Sequence, residues 1–159
     1  IITLKNLIQM ISFLKVTKKN VWDIIKLQPG KTNEKHIASN SDTVIEATFD
    51  NRLEHVKAIY YDKKLLGLTY FYPFNGAIWI CRFMIDEKYQ GKGHGTKIFE
   101  HLIKHIKNKY SPTRIELSTD NPIAIKLFKK HEFVMMDNNR SKAFFKEYKE
   151  HIMILKIIN

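Results

Sequence analysis

The chain has 159 residues and a mass of 18.8 kDa, a length that suits one compact domain. Hydrophobic residues at 44% and charged residues at 27% exclude a disordered chain. The formal net charge of +11 favours anionic ligands, but no run of five or more basic residues occurs, so the pattern favours solvated helix faces over a dedicated nucleic-acid surface. The single cysteine, Cys81, excludes an internal disulfide, and we expect a cytoplasmic protein.

The N-terminal stretch is predicted to be neither a membrane span nor a signal peptide. Its apolar run to Leu14 is interrupted by Lys5 and Gln9 and is too short and polar to cross a bilayer. We expect translation of the natural protein to begin at Met10. Residues 1–9 would then be an upstream extension, and residues 10–159 a single domain.

The first half of the chain predicts a helical segment between strands. Residues 11–16 read as a strand and residues 21–27 as a short helix that Pro29 and Gly30 end. A second helix is predicted from residue 34 to residue 38 or beyond. Ser41 or Asp42 could cap a helical turn within residues 40–51. Two strands, residues 56–61 and 65–72, follow as a hairpin with a turn at residues 62–64.

The second half alternates strands and helices. Residues 77–85 are almost continuously apolar, which is typical of a central strand covered on both faces. An amphipathic helix begins near Gly95 and ends before Pro112, and strand 114–118 follows. Pro122 starts a helix that covers residues 123–130. Strands at 133–136 and 151–158 complete the predicted order β-α-α-β-β-β-α-β-α-β-β.

Three of the six glycines, Gly91, Gly93 and Gly95, lie within five residues, between the apolar strand and the amphipathic helix. Glycine permits positive φ and close approach of backbone N–H groups, and a helix N-terminus adds unpaired donors and a positive dipole end. The stretch therefore predicts a cradle for a phosphate group. Neither the spacing of a Walker loop nor that of a dinucleotide-binding fingerprint fits it.

The spacing Gln90-x-x-Gly93-x-Gly95 resembles the pyrophosphate loop of the GCN5-related N-acetyltransferases, and a second motif, Asn121-x-x-Ala124-x-x-Leu127, resembles another segment of that family. Three further stretches are similar to bacterial spermine/spermidine acetyltransferases: residues 37–40, Glu46-Ala47 and residues 79–86. The resemblance covers roughly residues 57–133.

This resemblance implies the acyl-CoA N-acyltransferase fold, a mixed α/β (α+β) architecture. Its mostly antiparallel central sheet would have six or seven strands, about four flanking helices and central strands that splay apart. Acetyl-CoA would bind as co-substrate between strands 77–85 and 114–118, without a metal. The implied cofactor contacts are Phe83, Met84, Ile85, Gln90, Gly91, Lys92, Gly93, His94, Gly95, Thr96, Asn121, Ala124 and Phe128.

The implied reaction is direct attack of an amine on the acetyl thioester. A primary amine with a pKa of about 10.4 is mostly protonated at neutral pH, so a route for its proton is needed. We predict Glu46 for amine binding or for proton removal through a water. Backbone N–H groups around Phe83, Met84 and Ile85, with Met84 at the centre, would stabilise the developing oxyanion. Phe128 replaces the tyrosine that the family often uses as general acid, and Glu132 replaces a glycine.

The acceptor implied by the resemblance is a small polyamine such as spermidine or spermine. Another small amine or an antibiotic amine is the alternative within enzymes. A non-catalytic acyl-CoA sensor or a basic RNA-associated protein is the alternative outside enzymes. Phe128 favours the sensor. The family also implies a homodimer, whereas neither a membrane nor a nucleic-acid partner is expected.

Several residues favour ordinary structural roles. Cys81 is predicted to be a small core residue rather than a nucleophile, because no histidine adjoins it in sequence. His101 and His105 have the i, i+4 spacing of metal ligands, but a solvated helix face is favoured over a zinc site. Arg82 could bind CoA or pair with Asp86 or Glu116. Trp22 and Trp79 are expected in the core.

Overall fold

The computed structural model describes residues 10–158, so the predicted extension at residues 1–9 lies outside the described residues. One seven-stranded sheet, in the order β1-β2-β3-β4-β5-β7-β6, organises the chain. The strands are β1 (Ile11–Lys15), β2 (Val56–Tyr61), β3 (Lys64–Phe74), β4 (Ala77–Ile85), β5 (Arg114–Thr119), β6 (Val134–Met135) and β7 (His151–Lys156). The helices are α1 (Val21–Ile25), α2 (Asn40–Phe49), α3 (His94–Tyr110), α4 (Pro122–Lys130) and α5 (Asn139–Tyr148).

All neighbouring strands are antiparallel except β4 and β5, which run parallel. The predicted mixed, mostly antiparallel sheet with splayed central strands is therefore confirmed, with five helices instead of about four. In the part of the chain that the structure describes, no helix has the length and apolarity that crossing a bilayer requires.

Helix α3 forms the main core on one face of the sheet. Its apolar stripe, predicted from the 3.6-residue period, is buried, and its lysines lie opposite. The stripe packs against buried residues of β3, β4, β5 and β7 and against Phe128 of α4. Burying such side chains contributes roughly 1.5–3 kcal/mol each relative to leaving them exposed.

The segments between β1 and β2 and between β6 and β7 differ most from the predictions. The helix expected at residues 34–38 is a single 3₁₀ turn, Glu34–His36, because Ile37 is already extended. Helix α2 begins at Asn40 and is capped by Ser39, whose side chain accepts a hydrogen bond from the Asp42 backbone, rather than by Ser41 or Asp42. Helix α5 was not predicted at all.

The sequence of α5 explains why that helix escaped notice. Its residues are mostly polar, and only one of them, Ser141, is buried. The helix is started by a reciprocal cap in which Asn138 and Ser141 exchange side-chain and backbone hydrogen bonds. The position of α5 is therefore set by its contacts with the sheet and not by a buried apolar stripe.

Strands β4 and β5 pair over only three residues, Ile78–Ile115 to Ile80–Leu117. Beyond that point the two strands diverge. The register of β4 against β3 shifts at Cys81, because Phe71 pairs with Ile80 and Tyr70 pairs with Arg82. Cys81 is thus the extra residue of a β-bulge, which bends the strand at the start of the divergence. The stretch from Cys81 to Ile85 consequently faces open space on its β5 side.

Candidate active site

The glycine turn has the geometry of an anion cradle. Gly91 and Gly93 have φ values of +72° and +81°, a region that residues with side chains rarely adopt. Gly93 is the N-cap of α3, and no side chain caps that helix, so its first N–H groups keep their hydrogen-bonding capacity. A Cβ added at Gly91, Gly93 or Gly95 would meet no atom within 4 Å. The turn therefore has both donors and room for a diphosphate.

Gln90 braces the turn through its side chain. Its Nε2 donates to the carbonyl oxygens of Ile85 at 2.7 Å and of Pro29 at 2.9 Å. These bonds fix the loop to the end of β4. Lys92 and His94 do not line the cleft: the Lys92 ammonium donates to the Lys88 carbonyl, and the His94 ring packs against tyrosine rings.

The turn opens into a cleft of about 1280 Å³ along the divergence of β4 and β5. The cleft brings together most of the predicted site residues, although they come from four different helices and strands and two loops. They are Glu46, Phe83, Met84, Ile85, Gln90, Gly91, Gly93, Gly95, Thr96, Asn121, Ala124 and Phe128. Two lysines that sequence reasoning did not single out, Lys126 and Lys130 of α4, also line the cleft.

Gly67 of β3 holds the predicted oxyanion segment in place, and sequence reasoning missed it. Gly67 pairs with Ile85, and a Cβ at this position would overlap the carbonyl oxygen of Met84. Only a residue without a side chain permits this approach of β3 to β4. The signal available in the sequence was a lone glycine inside a strand pattern.

Asn121 is committed to protein contacts at both ends of its amide. Its Oδ1 accepts from the Ile123 backbone and caps α4, while its Nδ2 donates to Asn33 Oδ1 at 2.9 Å. The side chain still lies on the wall of the cleft. Its amide is therefore already held by hydrogen bonds to Asn33 and to the Ile123 backbone where it faces the cleft.

Phe128 packs inside an aromatic cluster with Phe99 and Phe133, with ring centroids 5.1 and 6.0 Å away. Its side chain lines the cleft and has no proton to donate. Glu132 follows α4 with φ +68°, the left-handed conformation that glycine adopts without strain. Glu132 therefore adopts the conformation that suits a glycine, at the cost of local backbone strain.

Two carboxylates lie at the other end of the cleft. Glu46 projects from α2 and is exposed, and Glu150, just before β7, is half-buried. The Ser118 hydroxyl donates to Glu150 Oε2 at 2.5 Å. Glu150 also lines a smaller neighbouring cavity of about 370 Å³ together with Asp120. Sequence reasoning missed Glu150 because the unpredicted α5 precedes it.

Cys81 lies between these carboxylates, at the bulge. Burial raises the pKa of its thiol, and Arg82 lowers it by a smaller amount, whereas Glu46 and Glu150 raise it further. The thiol is therefore held protonated at neutral pH. This argues against a nucleophilic role, because the thiolate is the nucleophilic form. Cys81 is nevertheless only half-buried and lines the cleft, so it is not the core residue that was predicted.

The predicted pairing of Arg82 with Asp86 or Glu116 was wrong, whereas its predicted contact with CoA stays a prediction. Its guanidinium donates to the carbonyl oxygen of Cys81 at 2.8 Å, while its Nε is buried and has no hydrogen-bond partner among residues 10–158. Glu116 pairs instead with Arg140 and Arg114. Asp86 instead accepts hydrogen bonds from the Gln28 and Lys88 backbone.

Other expectations about single residues have mixed outcomes. Trp22 is 65% exposed and so does not lie in the core, whereas Trp79 is half-buried against Phe144 of α5. His105 packs against Phe13 and Phe71, so it does not lie on a solvated face. Within residues 10–158 no group of three or more His, Cys, Asp or Glu is placed to hold a metal ion.

Comparison with known proteins agrees with this geometry. The model of the Acetyltransferase (GNAT) family matches residues 20–133. The chain is 35% identical over 133 residues to a spermine/spermidine N(1)-acetyltransferase of Bacillus subtilis (strain 168), covering 70% of this chain and 87% of the relative.

Solved structures share the fold at low sequence identity. PaiA N-acetyltransferase from Thermoplasma acidophilum in complex with coenzyme A superposes with a TM-score of 0.66 at 15% identity, covering 93% of this chain and 99% of the other. N-acetylglutamate synthase from Neisseria gonorrhoeae, complexed with coenzyme A and N-acetyl-glutamate, gives a TM-score of 0.69 at 15% identity and covers 94% of this chain. The chain spans only 36% of that larger protein.

The glycine turn at the N-terminus of α3, the divergence of β4 and β5 and the family match over residues 20–133 lead to one conclusion. The chain belongs to the GNAT family of acetyltransferases and is an acetyl-CoA-dependent N-acetyltransferase.

Proposed function

We propose that the protein transfers an acetyl group from acetyl-CoA to a primary amine of a polyamine such as spermidine or spermine. The observation that carries this proposal is the single cleft that joins the glycine turn at one end to Glu46 and Glu150 at the other. An anionic donor and a cationic acceptor thus each meet a complementary end. The Bacillus subtilis relative, named for spermine and spermidine, supports the same substrate class.

Charge gives the carboxylates their importance. A polyamine carries several positive charges, and the protein has a net charge of +11, so the two repel each other at long range. Carboxylates at the acceptor end, with Asp120 in the adjoining cavity, offset that repulsion locally. The same net charge, together with Lys126 and Lys130 on the cleft wall, attracts the phosphates of CoA.

Acetyl-CoA supplies an activated thioester, and the chain supplies orientation and proton management. Backbone N–H groups of the glycine turn and of the α3 N-terminus would hold the diphosphate, with Thr96 and Ala124 on the adjoining wall. N–H groups of residues 83–85 would stabilise the carbonyl oxygen as it gains negative charge. The new bond joins the amine nitrogen to the acetyl carbon while the carbon–sulfur bond breaks.

Glu150 and Glu46 are the proposed groups that bind the ammonium and receive its proton. Deprotonating an amine with a pKa of about 10.4 at pH 7 costs roughly 4–5 kcal/mol, which a nearby carboxylate reduces by accepting the proton directly or through water. Ser118 orients Glu150, whereas no side-chain hydrogen bond to Glu46 is found among the described residues. Phe128 cannot protonate the departing thiolate, but a thiol with a pKa of about 8.5 can leave as the anion.

Assembly and location complete the proposal. We infer a cytoplasmic, bacterial protein, which the single cysteine of the sequence and the bacterial relatives support. A homodimer without a nucleic-acid partner is part of the proposal. Size-exclusion chromatography with light-scattering detection measures the mass of the protein in solution, and a mass equal to one chain would contradict the dimer.

A thiol-release assay tests the function. Purified protein with acetyl-CoA is given spermidine, spermine, a short diamine or an aminoglycoside, and free CoA thiol is followed. We expect kcat/KM for the polyamines to exceed that for the aminoglycoside at least about tenfold, a difference of roughly one charge-assisted contact. Turnover of the aminoglycoside alone would transfer the proposal to antibiotic amines, and no thiol release with either polyamine would contradict it.

A further inference from the structure

The segment of residues 28–37, here called the strap, crosses the cleft where β4 and β5 have separated. On the β4 side, the Gln28 backbone N–H donates to Asp86 Oδ2 at 3.1 Å, and Gln90 holds the Pro29 carbonyl. On the β5 side, His36 Nδ1 lies 2.7 Å from Asp120 Oδ1. The strap therefore contacts both edges of the opening.

Asn33 is the centre of this crossing. Its Nδ2 donates to Gln90 Oε1 at 3.2 Å and to the Pro29 carbonyl at 3.1 Å. Its Oδ1 accepts from Asn121 Nδ2 at 2.9 Å. One amide group thus connects the residue that braces the glycine turn with the residue that caps α4, in a half-buried position on the cleft wall.

The opening gives this bridge its mechanical importance. The ladder between β4 and β5 ends at Ile80–Leu117, so sheet hydrogen bonds do not set the separation of the two edges farther along. The Asn33 amide has a donor on one end and an acceptor on the other, and it satisfies both edges in one orientation. Moving either edge breaks one of its contacts.

We propose that Asn33 is a positioning residue that couples occupancy of the cofactor site to the order of the acceptor-side strap. This inference rests on the function proposed above. Cofactor bound at the turn fixes Gln90 and Asn121, and Asn33 transmits that constraint to His36 and Ile37, which line both cavities. Coupling between two sites is reciprocal, so an ordered strap also favours cofactor binding.

Hydrogen exchange with and without CoA tests the coupling directly. In the wild-type protein we expect CoA to slow exchange of the strap amides of Glu34 and His36 by about tenfold, the size of one well-made contact. These amides bond to the Gly30 and Asn33 carbonyls, and not to the cofactor loop. Exchange of residues 91–96 reports cofactor binding in the same experiment.

Two variants separate coupling from folding. Asn33→Ala removes all three side-chain hydrogen bonds, whereas Asn33→Asp keeps the shape and the acceptor for Asn121 but loses the donor to Gln90 and to the Pro29 carbonyl. In both variants we expect CoA to protect residues 91–96 while the slowing at the strap falls below about twofold. If the alanine variant does not fold, the isosteric aspartate variant decides. Asn20→Ala is the matched control, because that amide likewise donates and accepts hydrogen bonds, in its case to backbone groups, but lies outside the cleft.

The result that overturns the inference is equally clear. Slowing at the strap that is as large in Asn33→Asp as in the wild type, or no slowing in the wild type while residues 91–96 are protected, excludes Asn33 as the coupling residue. If CoA does not slow exchange of residues 91–96 in the wild type, the cofactor site itself is contradicted, and the proposed function fails with it.

Discussion

The cofactor end and the acceptor end of the cleft are built from different materials. At the cofactor end, one continuous stretch, residues 90–96, provides backbone donors at the start of α3. At the acceptor end, Glu46 and Glu150 come from segments far apart in sequence, and only the fold brings both to the wall of one cleft. A backbone cradle depends on φ angles that few residues adopt, whereas a wall of side chains changes with single substitutions. The backbone conformation of the cofactor end therefore tolerates few substitutions. The side chains of the acceptor end can change without altering the fold.

The largest expected effect breaks the cofactor end alone. Gly93→Val places a β-branched residue at φ +81°, where it is strongly disfavoured, so the turn must rearrange. We expect CoA affinity to fall by roughly 100-fold or more, measured by calorimetry. Gly76→Val is the matched control: Gly76 has φ +75° in the β3–β4 turn, outside the cleft, so it imposes similar strain without loss of CoA affinity. Unchanged affinity in Gly93→Val would exclude the loop as the diphosphate site.

The next effect divides the two carboxylates at the acceptor end. Glu150→Gln removes a charge that Ser118 orients, and we expect kcat/KM for spermidine to fall about tenfold or more while CoA affinity stays unchanged. Glu46→Gln, at an exposed position where no hydrogen bond from the described residues orients the carboxylate, should raise the acceptor KM or lower kcat by less, about threefold. Steady-state kinetics with both substrates varied measures the difference. The reverse order would make Glu46 the principal amine-binding group, and loss of CoA affinity in either variant would contradict the division of the cleft.

The smallest effect sharpens the comparison through stability and pH. Glu116 of β5 is buried, which raises its pKa, but hydrogen bonds from Arg140 and Arg114 outweigh burial and hold the pKa below its ordinary value. Such a group stabilises the fold above its unfolded pKa of about 4.3, and the contribution is lost as pH falls through the lower folded pKa. Because Arg140 belongs to α5, this pairing fastens the acceptor wall to the sheet.

Arg140→Met should therefore destabilise the protein by about 1–2 kcal/mol at pH 7, a figure reduced for the partial exposure of the arginine. The difference from the wild type should narrow below about pH 4, because protonated Glu116 no longer benefits from the pairing. Urea unfolding at both pH values measures it. Lys142→Met is the control, since Lys142 is also on α5 and its pairing with Asp137, just before the helix, is surface-exposed and should contribute nothing measurable. A difference of equal size at pH 7 and pH 3 would show that the arginine acts through packing and not through charge.

Sequence reasoning succeeded where the signal was local. The stripe of α3, the apolar run of β4 and the glycines of residues 91–95 each carry their structure in a short window, and all three lie where they were expected. It failed where an element is defined by its neighbours. Helix α5 has a polar sequence, and the 3₁₀ turn at Glu34–His36 is held by contacts to residues that follow much later in the chain.

The partners of polar side chains show the same limit. Arg82 and Glu116 are both in central strands, and opposite charge alone suggested that they pair. Glu116 instead pairs with Arg114 of its own strand and with Arg140 of α5, and the Arg82 Nε has no partner within the described part of the chain. Gly67 is similar, because its necessity appears only when β3 lies against the Met84 carbonyl.

By itself, the sequence determined the phosphate cradle, the type of fold and the chemistry of the donor, because these depend on backbone conformations that a few adjacent residues specify. Only the tertiary structure decided which carboxylates line the cleft, that Gln90 and Asn121 are joined through Asn33, and that α5 closes one wall. Those features depend on side chains from segments that meet through packing, and the distances between such segments are set by the whole sheet.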